Sequence, residues 1–379
     1  MIDKVVKENH CSNCAACLNL CPTNAIEIKE TGVSVIDEKC VKCGACLKVC
    51  TYLNPPKASI IENCFAAWSN DNKILETSAS SGIATSFATS IIQKKGIVCG
   101  TKYVDNRLIF YCTDKIEELK DFQGSKYVQS YNEKVFVSIR HFLQEGRHVL
   151  FVGTPCQVAG LKSFLGKEYE LLLTIDLVCH GTSNQEHLRQ YVDKILKGKE
   201  WKNILFRGKD GISLTVYGNN DEVVYKREKG YEPFYMAYAK GLISKEYCYS
   251  CQYAKMDRMG DVTVGDFWGL NKNSLKIEPP KNKQVSLVLI NSEKGTRFFE
   301  NLVNEGAIIC EECNVSETLK FNRQLEEPIK EHLEREQFKF NIKKKGFNYA
   351  LRKTKLYKRT NFNYLKLKIK RFLGIGEKL

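Results

Sequence analysis

Eight cysteines crowd between Cys11 and Cys50 in a repeated pattern. The first four read Cys11-x2-Cys14-x2-Cys17-x3-Cys21-Pro22 and the next four Cys40-x2-Cys43-x2-Cys46-x3-Cys50, each 29 residues after its counterpart. A cube of iron and sulfide takes soft thiolates at its corners, and two-residue gaps let one tight loop wrap three of them. In duplicated runs of this kind the fourth thiol crosses to the other site. The expected ligand sets are therefore Cys11, Cys14, Cys17 and Cys50 for one [4Fe–4S] cluster, and Cys40, Cys43, Cys46 and Cys21 for a second. Zinc sites pair their ligands without this crossing. Ala15, Ala16, Gly44 and Ala45 sit where the loops must hug a cube, and residues 25–28 and 33–36 alternate as a short hairpin around Thr31-Gly32. Such a pair of clusters carries single electrons and does no substrate chemistry, so a donor or acceptor is expected in the rest of the chain.

The 379 residues are long enough for two or three domains, and 43% apolar with 27% charged residues excludes wholesale disorder. No strongly apolar run of membrane-spanning length occurs and the first ten residues are polar, so a cytoplasmic chain is expected. Seventeen cysteines in such a chain point to metal or redox chemistry rather than to a disulfide framework. The formal charge of +14 is uneven: residues 341–379 hold thirteen Lys and Arg against one acid, Glu377. The basic character thus belongs to a tail, which argues against nucleic-acid binding by the body.

Past Pro55-Pro56, read as a stiff linker, the pattern is α/β. Residues 97–104, 108–112, 147–153 and 171–178 read as strands. Thr154-Pro155 reads as an N-cap followed by Pro at the first helical position, opening a helix through Leu165. Two strands therefore end in polar turns, Gly153-Thr-Pro-Cys156 and Cys179-His-Gly-Thr-Ser183. Ligands bind at such strand ends and helix N-termini favour anions, so a phosphate-bearing cofactor fits there; ordinary connecting loops read equally well. Ser78-Ala-Ser-Ser-Gly82, before a helix-like stretch to Ile92, is a second candidate for anion contact, or a plain capping loop. Cys248-x2-Cys251 is half a metal site, its other half either Cys156 and Cys179 or Cys310 and Cys313. Inert thiols are the alternative there, and the expectation for Cys64, Cys99 and Cys112. Of six histidines only His180 lies in a suspected site, and neither a Gly-x-Gly-x-x-Gly nor a Walker-type loop occurs.

The cysteine spacing is similar to that of two-cluster bacterial ferredoxins. With it stand residues 78–85, Gly124-Ser-Lys-Tyr-Val-Gln-Ser130, Val152-Gly-Thr-Pro-Cys-Gln-Val-Ala-Gly-Leu-Lys162, Asp176-Leu-Val-Cys-His-Gly181, Phe206-Arg-Gly208 and Gly260-Asp-Val-Thr-Val-Gly-Asp-Phe-Trp-Gly269. Together, over residues 5–325, these resemble the coenzyme F420 hydrogenase/dehydrogenase beta subunit family of iron–sulfur flavoproteins. The resemblance implies an α/β fold (α+β overall). A two-cluster ferredoxin-like domain would span 1–56, the two parts of a flavin-binding domain 57–140 and 141–325, and a basic helical tail 326–379. It implies FAD, with Ser80, Gly82 and Thr85 lining the flavin loop, Lys126 approaching flavin or substrate as a cation, and Gly153, Thr154, Pro155 and Gln157 presenting a turn to the cofactor. In this family the loop usually reads Ser-Gly-Gly; here Ser81 stands at the first Gly. A third [4Fe–4S] cluster would be held by Cys156, Cys179, Cys248 and Cys251, and Lys126 and His180 are the candidates for catalysis.

The activity so implied is that of an oxidoreductase, moving electrons between an organic substrate or deazaflavin-type coenzyme and an external one-electron carrier such as ferredoxin. The alternative is an electron-transfer subunit or an accessory protein of a biosynthetic, for instance polysaccharide, assembly. In the tail, Leu365, Ile369, Phe372 and Leu373 recur at helical spacing among lysines. This suits an anionic surface at the inner membrane, an acidic partner, or a stripe packed on the body.

Overall fold

The computed structural model describes residues 2–29, 32–208, 211–281 and 283–373. Thr31, the expected hairpin turn, and Glu377 lie outside them. The N-terminal cysteines sit on two copies of one backbone path. Asn13 and Ala15 take positive φ (56° and 66°), and so do Lys42 and Gly44, 29 residues on (54° and 76°). Left-handed residues alternating in this way turn successive N–H groups inward, a concavity suited to anionic sulfur. Each loop then enters a short helix, Ala16–Leu20 or Ala45–Lys48, and the two helices pack together. Strands β1 (Ile26–Lys29) and β2 (Gly32–Val35) pair antiparallel, Ile26 opposite Val35.

Eight strands form one mixed sheet: β3 (Asn63–Ser69), β4 (Ile97–Val104), β5 (Arg107–Thr113), β6 (Val149–Gly153), β7 (Leu172–Leu177), β11 (Val262–Asp266), β12 (Ser286–Ile290) and β13 (Ile308–Glu312). Their order is β13-β3-β12-β11-β7-β6-β4-β5. The four central strands β4, β6, β7 and β11 run parallel, and every pairing outside them is antiparallel. All five residues of β12 are buried, as expected of a strand covered on both faces. A separate antiparallel sheet of β8 (Asn203–Gly208), β9 (Gly211–Tyr217) and β10 (Val223–Glu228) carries a second core around Phe206, Leu214 and Phe234. Helices Arg335–Lys345, Phe347–Lys353 and Lys355–Phe372 follow, and Phe338, Phe347 and Leu351 are buried in that second core. The fold is thus the expected α/β arrangement with an N-terminal ferredoxin-type domain and a helical tail.

Residues 57–140 and 141–325, the two expected parts of one domain, share the large sheet, and position 140 falls inside helix Val135–Gln144. Two details depart from expectation. Cys99 and Cys112 are not separate inert thiols: they stand directly opposite on β4 and β5 and form a disulfide. The tail stripe is not packed on the body, since Leu365, Ile369 and Phe372 are exposed.

The N-terminal domain is docked on the sheet's helices. Helix Ala16–Leu20 packs on helix Pro155–Leu165. The Gln129 amide donates to the Ser12 carbonyl, the Asn19 amide to Asn132 Oδ1, and the Gln252 amide to the Thr51 carbonyl.

Candidate functional site

Cys11, Cys14 and Cys17 share one buried neighbourhood with Cys50. Burial pushes the Cys17 thiol well up, and the neighbouring thiols Cys14, Cys11, Cys50 and Cys46 push in the same direction. Cys46 is raised by burial and by Cys40 and Cys43. Cys50 reaches the first set because the helices leading to Cys21 and Cys50 pack side by side. At Cys21, N–H donation from Ala25 at 3.2 Å and contacts to Thr23 outweigh burial and lower the pKa.

A third set of four thiols comes from three places in the chain. Cys156 lies in the first turn of helix Pro155–Leu165, Cys179 follows β7, Cys248 lies within the turn Glu246–Ser250 and Cys251 caps it. They frame a small cavity that Cys11 also lines. Burial, then the neighbouring thiols, raises Cys156 well above a normal thiol, while Cys179 is raised to about 12 and Cys251 to about 11. As thiolates, Cys156, Cys179 and Cys251 would repel one another, so this donor set suits a centre of positive charge. Backbone groups already face the sulfurs: the Thr182 N–H points at Cys248 Sγ at 3.5 Å. Among the described residues no three candidate ligands converge on a single ion. The corners of a cube stand farther apart than the roughly 4 Å between ligands of one tetrahedral ion. Cys310 and Cys313 lie elsewhere, Cys310 opposite Ala67 on β3 and Cys313 with its N–H on the Cys64 carbonyl.

Beside this set lies a cleft of about 510 Å³ at the carboxyl ends of the parallel strands. That volume is ordinary for a cofactor site. The neighbouring turns after β6 and β7 meet there because Gly153 pairs with Asp176. Thr154 and Gln157 form a capping box, with the Thr154 N–H on Gln157 Oε1 at 2.9 Å and the Gln157 amide on Ser130 Oγ at 3.0 Å. Helix Ile83–Gln93 also opens on the cleft. Its N-cap, Gly82, has φ +84°, and a Cβ there would meet Ile74 Cγ2 at 2.5 Å, so only glycine makes this turn. Ser81 is fully buried behind the loop, its hydroxyl on the Ala67 carbonyl and Ser286 Oγ, so its Cβ stays out of the cleft.

Ser80, Gly82, Thr85, Lys126, Gly153, Thr154, Gln157 and His180 all line this cleft. Pro155 lines the thiol cavity instead. Cys179 and Thr154 line both. Lys126 turns its ammonium away from open space, donating to the carbonyls of Asp121, Phe122 and Gln123 at 2.7–3.0 Å. Burial pulls its pKa down to about 7, while three carbonyls at a helix end favour the charge. Replacing Lys126 with Met should lower thermal stability by about 2 kcal/mol through loss of these charged hydrogen bonds. An unchanged melting curve would return Lys126 to the role of a ligand-facing cation. Burial lowers the His180 pKa, with Asp266 opposing, so the imidazole is neutral near pH 7.

Sequence reasoning singled out no role for Arg207 and Asp266, although both stood in the quoted motifs. They form a buried ion pair on the cleft wall. Arg207 Nε and Asp266 Oδ1 have no partner within the protein, and neither does Ser78 Oγ near the helix entry. Tyr127 stacks on Tyr238 beside them, ring centroids 4.6 Å apart. Unpaired buried donors and acceptors around an empty volume, together with a helix N-terminus, fit a polar, phosphate-bearing aromatic cofactor.

Residues 146–316 match the family that describes the C terminus of the coenzyme F420 hydrogenase/dehydrogenase beta subunit. Residues 10–54 match the 4Fe-4S dicluster domain. No curated protein matches the chain. Among solved structures, a chain of the xenon-derivatized F420-reducing [NiFe] hydrogenase complex from Methanosarcina barkeri is similar at 15% identity and a TM-score of 0.48, covering 76% of this chain and 94% of that one. No helix among the described residues is long and apolar enough to cross a membrane.

Proposed function

From the chain's membership of the coenzyme F420 hydrogenase/dehydrogenase beta subunit family, with a 4Fe-4S dicluster domain at residues 10–54, we propose that it is an iron–sulfur flavoprotein oxidoreductase with three [4Fe–4S] clusters and one FAD. The observation that carries this reading is the shared wall: Cys179 belongs both to the third thiol set and to the cleft. Bound in the cleft, a flavin supplies two-electron exchange with an organic molecule and one-electron exchange with iron–sulfur clusters.

The residues divide the work accordingly. Cys156, Cys179, Cys248 and Cys251 hold iron beside the cleft, and Cys11, which lines the same cavity, brings the N-terminal set next to it. The helix N-terminus at Gly82 binds phosphate oxygens. Arg207 and Asp266 orient a ring through their free donor and acceptor, and the neutral His180 can hold or accept one proton. The organic partner is a deazaflavin-type coenzyme or another two-electron donor, and the external partner a one-electron carrier. A second reading, an electron-transfer subunit whose organic chemistry resides on another chain, is favoured by one observation: the Lys126 ammonium is already committed to three carbonyls.

Anaerobic purification with iron, sulfide and flavin quantified per chain tests the proposal. About twelve iron atoms and one FAD are expected, and Cys179→Ser should lose about four iron atoms while keeping those of the N-terminal sets. Eight iron atoms and no flavin after reconstitution would overturn the flavoenzyme reading. Turnover of the isolated chain with a chemical electron donor separates it from the second reading.

A further inference from the structure

We propose that helix Lys355–Phe372 seats the protein on an anionic lipid bilayer. The helix has two opposite faces. Thr360, Tyr364, Leu367 and Arg371, at spacings of four, three and four, face the body. Thr360 and Leu367 are buried, and Tyr364 lies 3.9 Å beneath the Arg227 guanidinium and against Tyr231. Arg227 also donates to Asn361 Oδ1, and Arg371 pairs with Glu228 at 3.1 Å. The helix is therefore held without help from its other side.

That other side carries Phe362, Leu365, Ile369 and Phe372, at spacings of three, four and three, with 57%, 55%, 50% and 90% of their surface exposed. Four large apolar side chains in line, turned from the body, have no packing role and mark an interaction surface. The charge around them selects the occupant. Residues 341–373 contain twelve Lys and Arg and no acid. Lys366 lies over the Phe362 ring at 4.5 Å, and Lys358, Arg359, Lys368 and Lys370 are spread along the same helix. Long cationic stems beside an apolar stripe place ammonium groups at phosphate headgroups while the stripe enters the acyl boundary. An apolar groove on a protein would accept the stripe but has no need of so many cations of one sign.

Co-sedimentation of the full holoprotein with vesicles of phosphatidylglycerol and phosphatidylcholine tests this. Binding to anionic vesicles is expected to exceed binding to pure phosphatidylcholine at least tenfold and to weaken with salt. The fourfold variant Phe362→Gln, Leu365→Gln, Ile369→Gln, Phe372→Gln should lose at least tenfold in vesicle binding with unchanged iron content. Phe372→Trp offers a readout that keeps the stripe apolar: its emission should shift to the blue on anionic vesicles and be quenched by brominated lipid. Wild-type protein remaining in the supernatant, or a fourfold variant that binds as well as wild type, would overturn the proposal. So would stripe-dependent self-association or capture of an acidic protein without vesicle binding. None of these readouts depends on flavin or turnover, so the proposal stands or falls apart from the oxidoreductase reading.

Discussion

Replacing Gly160 with valine is expected to undock the N-terminal domain and cost the chain iron at its first cluster site. Gly160 lies inside helix Pro155–Leu165, where a Cβ would stand 2.8 Å from Cys14 Cβ and 2.9 Å from the Cys14 carbonyl oxygen. Both atoms belong to a loop fixed at left-handed residues on either side of Cys14, so neither yields cheaply. Overpacking of this kind costs about 1–3 kcal/mol. Here the strain falls on an expected cluster ligand rather than on a compliant side chain. The expected result is about four fewer iron atoms per chain and faster proteolysis between the N-terminal domain and the body. Gly160→Ala should show the same change in milder form. A valine variant with full iron and an unaltered digest would mean that the two parts do not rely on this contact.

The Asp176→Ala variant should lose more stability than any change on the cleft surface. Asp176 is fully buried, and its carboxylate accepts from Arg258 Nη2 at 3.1 Å, Thr263 Oγ1, the Met259 N–H at 2.9 Å and the Gly260 N–H at 3.1 Å. Arg258 is only 1% exposed, so truncating its partner strands a cation in the interior, at a cost of about 3–5 kcal/mol. In a chain of this size that corresponds to a fall in melting temperature of about 4–6 °C. Cys179 follows Asp176 by three residues and Cys251 precedes Arg258 by seven, so iron at the proposed third site should fall as well. Thermal melts together with iron content report both effects. The double variant Asp176→Leu with Arg258→Met should recover part of the stability, because it removes the stranded charge. A single Asp176→Ala substitution that melts like wild type would refute the account.

What the sequence discloses divides along physical lines. Strand β4 was expected at residues 97–104 and is found there, since a β-branched and aromatic-rich run bounded by Gly96 and Asp105 has few alternative readings. The helix after β6 was legible because Thr154 and Pro155 are local signals for a helix start, and both act as such. The crossed cysteine pattern carried the N-terminal domain for the same reason: its information is local and periodic. Strands β12 and β13 escaped because short apolar runs read alike in helix and strand, and their partner β3 lies more than two hundred residues earlier. Register across β4 and β5 decides that Cys99 meets Cys112, and spacing along the chain does not disclose register. Lys126 sits in a quoted motif, but only its three carbonyl contacts distinguish a helix-end cation from one that faces a ligand. Arg207 and Asp266, 59 residues apart, become a pair only when β8 and β11 are in place.

The position of β3 sets the order in which this chain can mature. The strand lies between β12 and β13, and its residues Ala66, Ala67 and Trp68 are almost wholly buried there. At synthesis rates of about 5–20 residues per second, β3 waits roughly 12–50 s for the partners that cover both its edges. Throughout that interval an apolar strand with two unpaired edges is open to neighbouring nascent chains. The N-terminal domain makes most of its contacts within its own short stretch and can fold, and take up iron, long before the sheet closes. The hazard for production is aggregation of a half-made sheet, for which slow expression at low temperature with chaperones is the natural remedy.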